Sequence, residues 1–66
     1  MKVEHYQEKD GDISFLVDSS VYPRLLAHLS AKGISSGGRE SDTSLSEVIV
    51  SVTIGELNEA LEDFIE

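Results

Sequence analysis

Cysteine is absent from the 66-residue chain, so neither disulfides nor thiolate metal ligands can reinforce the fold. A chain this short buries only about 60% of the surface it exposes when unfolded, and self-association is the remaining common reinforcement for a small scaffold. No apolar run approaches the roughly 20 residues of a membrane span, and the opening stretch MKVEHYQEKDGD lacks the apolar region of a signal peptide. These absences lead to the expectation of one small acidic domain over residues 1-66, cytoplasmic and without membrane contact.

Basic residues are scarce and end early. Through Arg39 the acids Glu4, Glu8, Asp10, Asp12 and Asp18 are matched by Lys2, Lys9, Arg24, Lys32 and Arg39. From Glu40 onward eight acids stand without a base, so the whole net charge of −8 belongs to the last 27 residues. A chain so charged repels polyphosphate, which excludes direct nucleic-acid binding as its function. With 39% hydrophobic residues in periodic segments, it is nevertheless a folded domain and not a disordered acidic tail.

The periodicities predict six elements. Lys2 to Tyr6 alternates as a short strand, and Asp10-Gly11 supplies the positive-φ positions of a hairpin turn into Ile13-Ser14-Phe15-Leu16-Val17, whose odd positions share a buried face. Ser19 or Ser20 is placed to cap a helix running to about Lys32, with Tyr22, Leu25, Leu26 and Leu29 as its apolar stripe. Gly33 reads as the left-handed stop and Ile34 folds back on the last turn. Ser35 to Ser44 is polar and turn-rich; part of it can form an edge strand beside a central strand Glu47 to Thr53, in which Val48, Val50 and Val52 share one face. Thr53-x-x-Glu56 is a capping box, and Val52 with Leu57 has the spacing of a hydrophobic staple. The helix it starts is expected to continue to the end, with Leu57, Ala60, Leu61, Phe64 and Ile65 as an apolar face about 140° wide.

The predicted fold is therefore α+β: a two-layer, three- to four-stranded, mainly antiparallel sheet with two helices on one face. Its order ββαββα can be laid out as a permuted ferredoxin-like plait. That fold hosts many unrelated functions, so the likeness is architectural only.

The residue types of common chemistries are thinly represented. His5 and His28 are the only histidines, no spacing suggests a metal site, and no cofactor is expected. His28 reads as a boundary histidine on the first helix, not as a base for Ser19 or Ser20. Asp10-Gly11-Asp12 lacks the further ligands of a calcium loop, and Ser36-Gly37-Gly38-Arg39 matches no phosphate loop and reads as a flexible segment. The expectation is a protein that is not an enzyme.

What remains is charge. On a continuous last helix, Glu56, Glu59, Glu62, Asp63 and Glu66 would occupy an arc of about 120° opposite the apolar face. Three of them would crowd the negative helix C-terminus at roughly 0.3–1 kcal/mol each. A binding role accounts for that cost: this stripe, with Glu40, Asp42 and Glu47 as accessory charges, would engage a basic protein surface, for example that of a nucleic-acid-binding complex. A phage or mobile-element inhibitor of the anti-CRISPR or anti-restriction kind, acting as a nucleic-acid mimic, has this size and charge. The alternative is a small structural or regulatory module that self-associates through Ile49 and Leu16 on the sheet, with the acidic helix merely solvated. The chain is expected to be a monomer or a homodimer, and the second reading predicts the dimer.

Overall fold

The structure, a computed structural model, describes Met1 to Glu66. Its elements are β1 (Gln7–Lys9), β2 (Asp12–Asp18), α1 (Tyr22–Ala31), β3 (Ser36–Arg39), β4 (Leu45–Val50) and α2 (Ile54–Ala60). The four strands form one antiparallel sheet in the order β1-β2-β4-β3. This is the permuted ferredoxin-like arrangement the sequence predicts: β2 and β4 are central, and β1 takes the edge a final strand would otherwise occupy.

Alternation divides the sheet into two unlike faces. Ile13, Phe15 and Val17 of β2, with Val48 and Val50 of β4, are buried in one cluster with Leu25 and Leu29 of α1 and Leu57 of α2. Both helices therefore cover the same face. The cross-strand rows Gln7, Ser14, Ile49, Gly37 and Leu16, Glu47, Arg39 lie on the other face, which no element covers.

The turns are determined by local chemistry. Asp10 (φ 53°) and Gly11 (φ 84°) both adopt the left-handed conformation that a two-residue type I′ hairpin requires, and Lys9 then pairs with Asp12. At the end of α1 the Ile34 amide donates to the Leu29 carbonyl and the Gly33 amide to that of Ser30, a Schellman closure that folds Ile34 onto the core.

Several expectations are corrected. The first strand is Gln7–Lys9, not Lys2 to Tyr6, because Val3 is buried against α2 and drags the preceding residues out of the sheet. The cap of α1 is Val21, with no side-chain bond. Ser19 is not available for it, since its hydroxyl meets Ser46 Oγ at 2.7 Å and donates to the Thr43 carbonyl at 2.7 Å, while Val21 turns into the core. Ser36–Arg39 is the edge strand β3 and not a flexible segment. The central strand is Leu45–Val50; Val52, half-buried, already belongs to the turn into α2.

The largest correction concerns α2, which ends at Ala60. Thr53 caps its start as predicted, accepting from the Glu56 amide at 3.1 Å, and the hydroxyl donates in turn to the Glu56 carboxylate. Beyond Ala60 the bonds tighten to a three-residue span, Glu62 to Glu59 and Phe64 to Leu61. Carbonyls freed at this end find donors elsewhere in the chain: His28 Nε2 lies 2.8 Å from the Ala60 oxygen, and the Met1 amino group donates to Leu61 and Phe64 at 3.0 and 2.9 Å. Phe64 packs against the His28 ring, with centroids 5.0 Å apart, while Ile65, expected on the apolar face, is 84% exposed.

Gly38 (φ 129°) holds β3 against β4, because a Cβ there would overlap the Glu47 carbonyl. Gly38→Ala is expected to lose about 2 kcal/mol of stability in urea unfolding, since the strand must shift or strain. Gly37 faces open space, and Gly37→Ala is expected to stay within about 0.5 kcal/mol.

Candidate functional site

The eight acids singled out from the sequence do not form one stripe. Glu56 and Glu59 lie on α2 beside a cleft of about 470 Å³ that also touches Lys32 and Ile34. Glu62 and Asp63 follow in the turn, outside the helix. Glu40 and Asp42 belong to the β3–β4 connection, and Glu47 stands on the open sheet face, cross-strand from both Leu16 and Arg39. Glu66 shares a cleft with Glu4 and Asp18 at the Asp18–Leu45 end of the sheet. The geometric reason is the early end of α2: helical spacing would have aligned Glu56, Glu59, Glu62, Asp63 and Glu66, and the tightened turn disperses the last three.

Asp63 differs from the other seven in having basic partners. Lys32 Nζ donates to it at 2.8 Å, and His28 Nε2 lies 3.1 Å from its other oxygen. The hydrogen bond from Lys32, with the positive charges of Lys32 and His28 behind it, holds its carboxyl below the ordinary value of 3.8. Both side chains come from α1, so the negative end of α2 is met by a cation, Lys32, delivered from a neighbouring element and not by its own sequence. The other twelve carboxylates of the chain, counted from thirteen acids less Asp63, take part in no ion pair.

Exposed apolar side chains are concentrated, unlike the charge. Of the four large hydrophobic residues that face solvent, Tyr6 (39% exposed), Leu16 (62%) and Leu45 (45%) line two adjoining clefts of about 310 and 470 Å³ beside β2. His5, Phe15 and Leu16 are common to both. Glu4, Asp18 and Glu66 rim the first cleft and Glu47 the second, against Lys2 as the one lysine or arginine. Half-buried Ile49 continues the apolar strip along the open face through its pairing with Ser14.

Met1 to Tyr6 form one wall, and their path is fixed by Asn58. Its Oδ1 accepts from the Val3 amide at 2.8 Å and its Nδ2 donates to the Val3 carbonyl at 3.3 Å, the pairing one strand residue would offer another. Sequence reasoning identified Leu16 and Ile49 but missed Tyr6, Leu45, Glu4 and Asp18. Leu45 was within reach, since extending the Glu47, Ile49 alternation upstream places it on the same face; the diversion of residues 1–6 had no local signal.

Two of the side chains weighed for chemistry hold structural contacts. His28 faces Ala60 and Asp63, and Ser19 faces Ser46 and Thr43. No three metal-ligating side chains converge. Among known proteins, no family model matches the chain, and no curated protein and no solved structure matches it.

Two outcomes are expected from these contacts. Asn58→Ala should cost about 1–3 kcal/mol, since both Val3 backbone groups lose their partner, and the Val3 amide should become fast in hydrogen exchange. A carboxyl with a folded value below its unfolded one contributes stability above the unfolded value and loses it as pH falls through the folded value. An NMR titration should therefore find Asp63 still ionised below pH 3.8, and Lys32→Met should raise its midpoint.

Proposed function

We propose that the chain is a non-enzymatic binding protein that engages a basic surface on another macromolecule through the acid-rimmed apolar clefts beside β2. The observation that carries this reading is the coincidence of Tyr6, Leu16 and Leu45, exposed together, with Glu4, Asp18, Glu47 and Glu66 around them. Apolar contacts gathered in one place supply affinity, and a charged rim supplies orientation and a fast encounter. Free carboxylates elsewhere, including Glu40, Asp42, Glu56, Glu59 and Glu62, extend the negative field beyond the contact and steer the approach of a basic partner. An inhibitor of a nucleic-acid-handling complex is a protein of this kind; size and charge are what favour it, since dispersal of the acids removes the regular spacing a phosphate mimic would draw from one helix.

Self-association through Leu16 and Ile49 is the second reading, favoured by the uncovered sheet face. The charge weighs against it, because two copies would bring together chains of net charge −8 each.

The test is charge reversal on the partner captured from the organism that encodes the chain. Replacing Glu4, Asp18 and Glu66 by lysine should weaken binding by about tenfold or more at low ionic strength and flatten its salt dependence. An unchanged affinity and salt slope would sink the proposal, and sedimentation showing a dimer near 1 mM would favour self-association.

A further inference from the structure

We infer that a lysine- or arginine-bearing extended segment of the partner adds to the sheet as a strand along Phe15 to Asp18, in the lane that β1 leaves empty. This rests on the reading above that the partner is basic, and adds how it docks.

β1 pairs only with Asp12, Ile13 and Ser14, whereas β2 continues for four more residues with β4 on one side alone. Within a strand the peptide groups point alternately to the two sides, so about half of those in this stretch face outward. No hydrogen bond outside the strand ladders reaches the backbone of Phe15, Leu16 or Val17, and the only one at Asp18 comes from Val21. An unpaired edge of this kind is a template for another strand. At about 3.3 Å per residue it is roughly 13 Å long, enough for four residues. Met1 to Tyr6, the segment that would otherwise zip along it, is withdrawn by the bonds of Met1 and Val3 to α2.

The edge also specifies what would lie on it. Alternate side chains of an added strand would point towards exposed Leu16 on the open face and towards Val17 and Val21 on the other. Glu4, Asp18, Glu66 and Glu47 stand along the two clefts, so alternating apolar and basic residues fit. A second copy offers the wrong charge, since edge-to-edge pairing would juxtapose the same carboxylates.

The probe is a blocked hexapeptide alternating valine and lysine, added to the intact isotope-labelled chain and followed by NMR. Shifts at the amides of Phe15 to Asp18, with hydrogen exchange there slowed by about tenfold or more, are expected. Alternating valine and glutamate should give neither, and N-methylation of the peptide backbone should abolish the protection. Leu16→Lys, at an exposed position whose fold the same spectrum verifies, should lower affinity about tenfold. Shifts confined to Glu56, Glu59 and Glu62 would overturn strand addition while leaving the basic-partner reading intact. No shifts anywhere at about 1 mM peptide would also overturn strand addition, and charge reversal on the captured partner would then decide the broader reading separately. Protection of the same amides in a peptide-free dimer would assign the edge to a second copy and overturn the proposal.

Discussion

Two hydrogen bonds between the Asn58 side chain and the backbone of Val3 decide where the first six residues go. By presenting an amide that imitates a strand partner, Asn58 draws this segment under the sheet, where Val3 joins the core. β1 is consequently three residues long, and β2 outlasts it. The same withdrawal brings the Met1 amino group to the carbonyls at the end of α2. Shape of the sheet edge, closure of the second helix and one wall of the clefts beside β2 thus share one cause. Its position matters as much as its strength, because a half-buried amide with both its groups matched favours one register of the chain over others.

Electrostatics follow the packing. A helix ending in Glu62 and Asp63 with no base of its own looks self-defeating in isolation. In the fold, His28 and Lys32 from α1 stand beside Asp63, and Arg24 sits over the Phe64 ring at 5.9 Å from its centroid. The neutral first part of the chain lends its cations to the acidic second part. What stays without a cation is every other carboxylate, on α2 as well as around the sheet and its connections.

Elements whose information is local were legible in the sequence. The Asp10-Gly11 turn, the buried odd positions of β2, the stripe of α1, its Gly33 closure and the Thr53 cap each depend on residues a few positions apart. The strand order followed as well, because two apolar helix faces need one sheet face between them. Failures arose where a distant group intervened: Ser19 was taken from its capping role by Thr43 and Ser46, and the end of α2 was set by His28 and Met1. The candidate site was half legible. Leu16 and Ile49 were marked by alternation, but the grouping of Glu4, Asp18 and Glu66 joins positions far apart in the chain, and periodicity carries no trace of it.

The opposite margin of the sheet is built differently. β3 is four residues long and carries Gly37 and Gly38 at its middle, where a Cβ on Gly38 would overlap the Glu47 carbonyl. Short strands with few side chains offer a poor surface for further pairing. The two margins of the sheet are therefore unlike. A strand added beside β2, as proposed, would find no equivalent place beside β3, and a complex of fixed stoichiometry would then be favoured over an open-ended fibre.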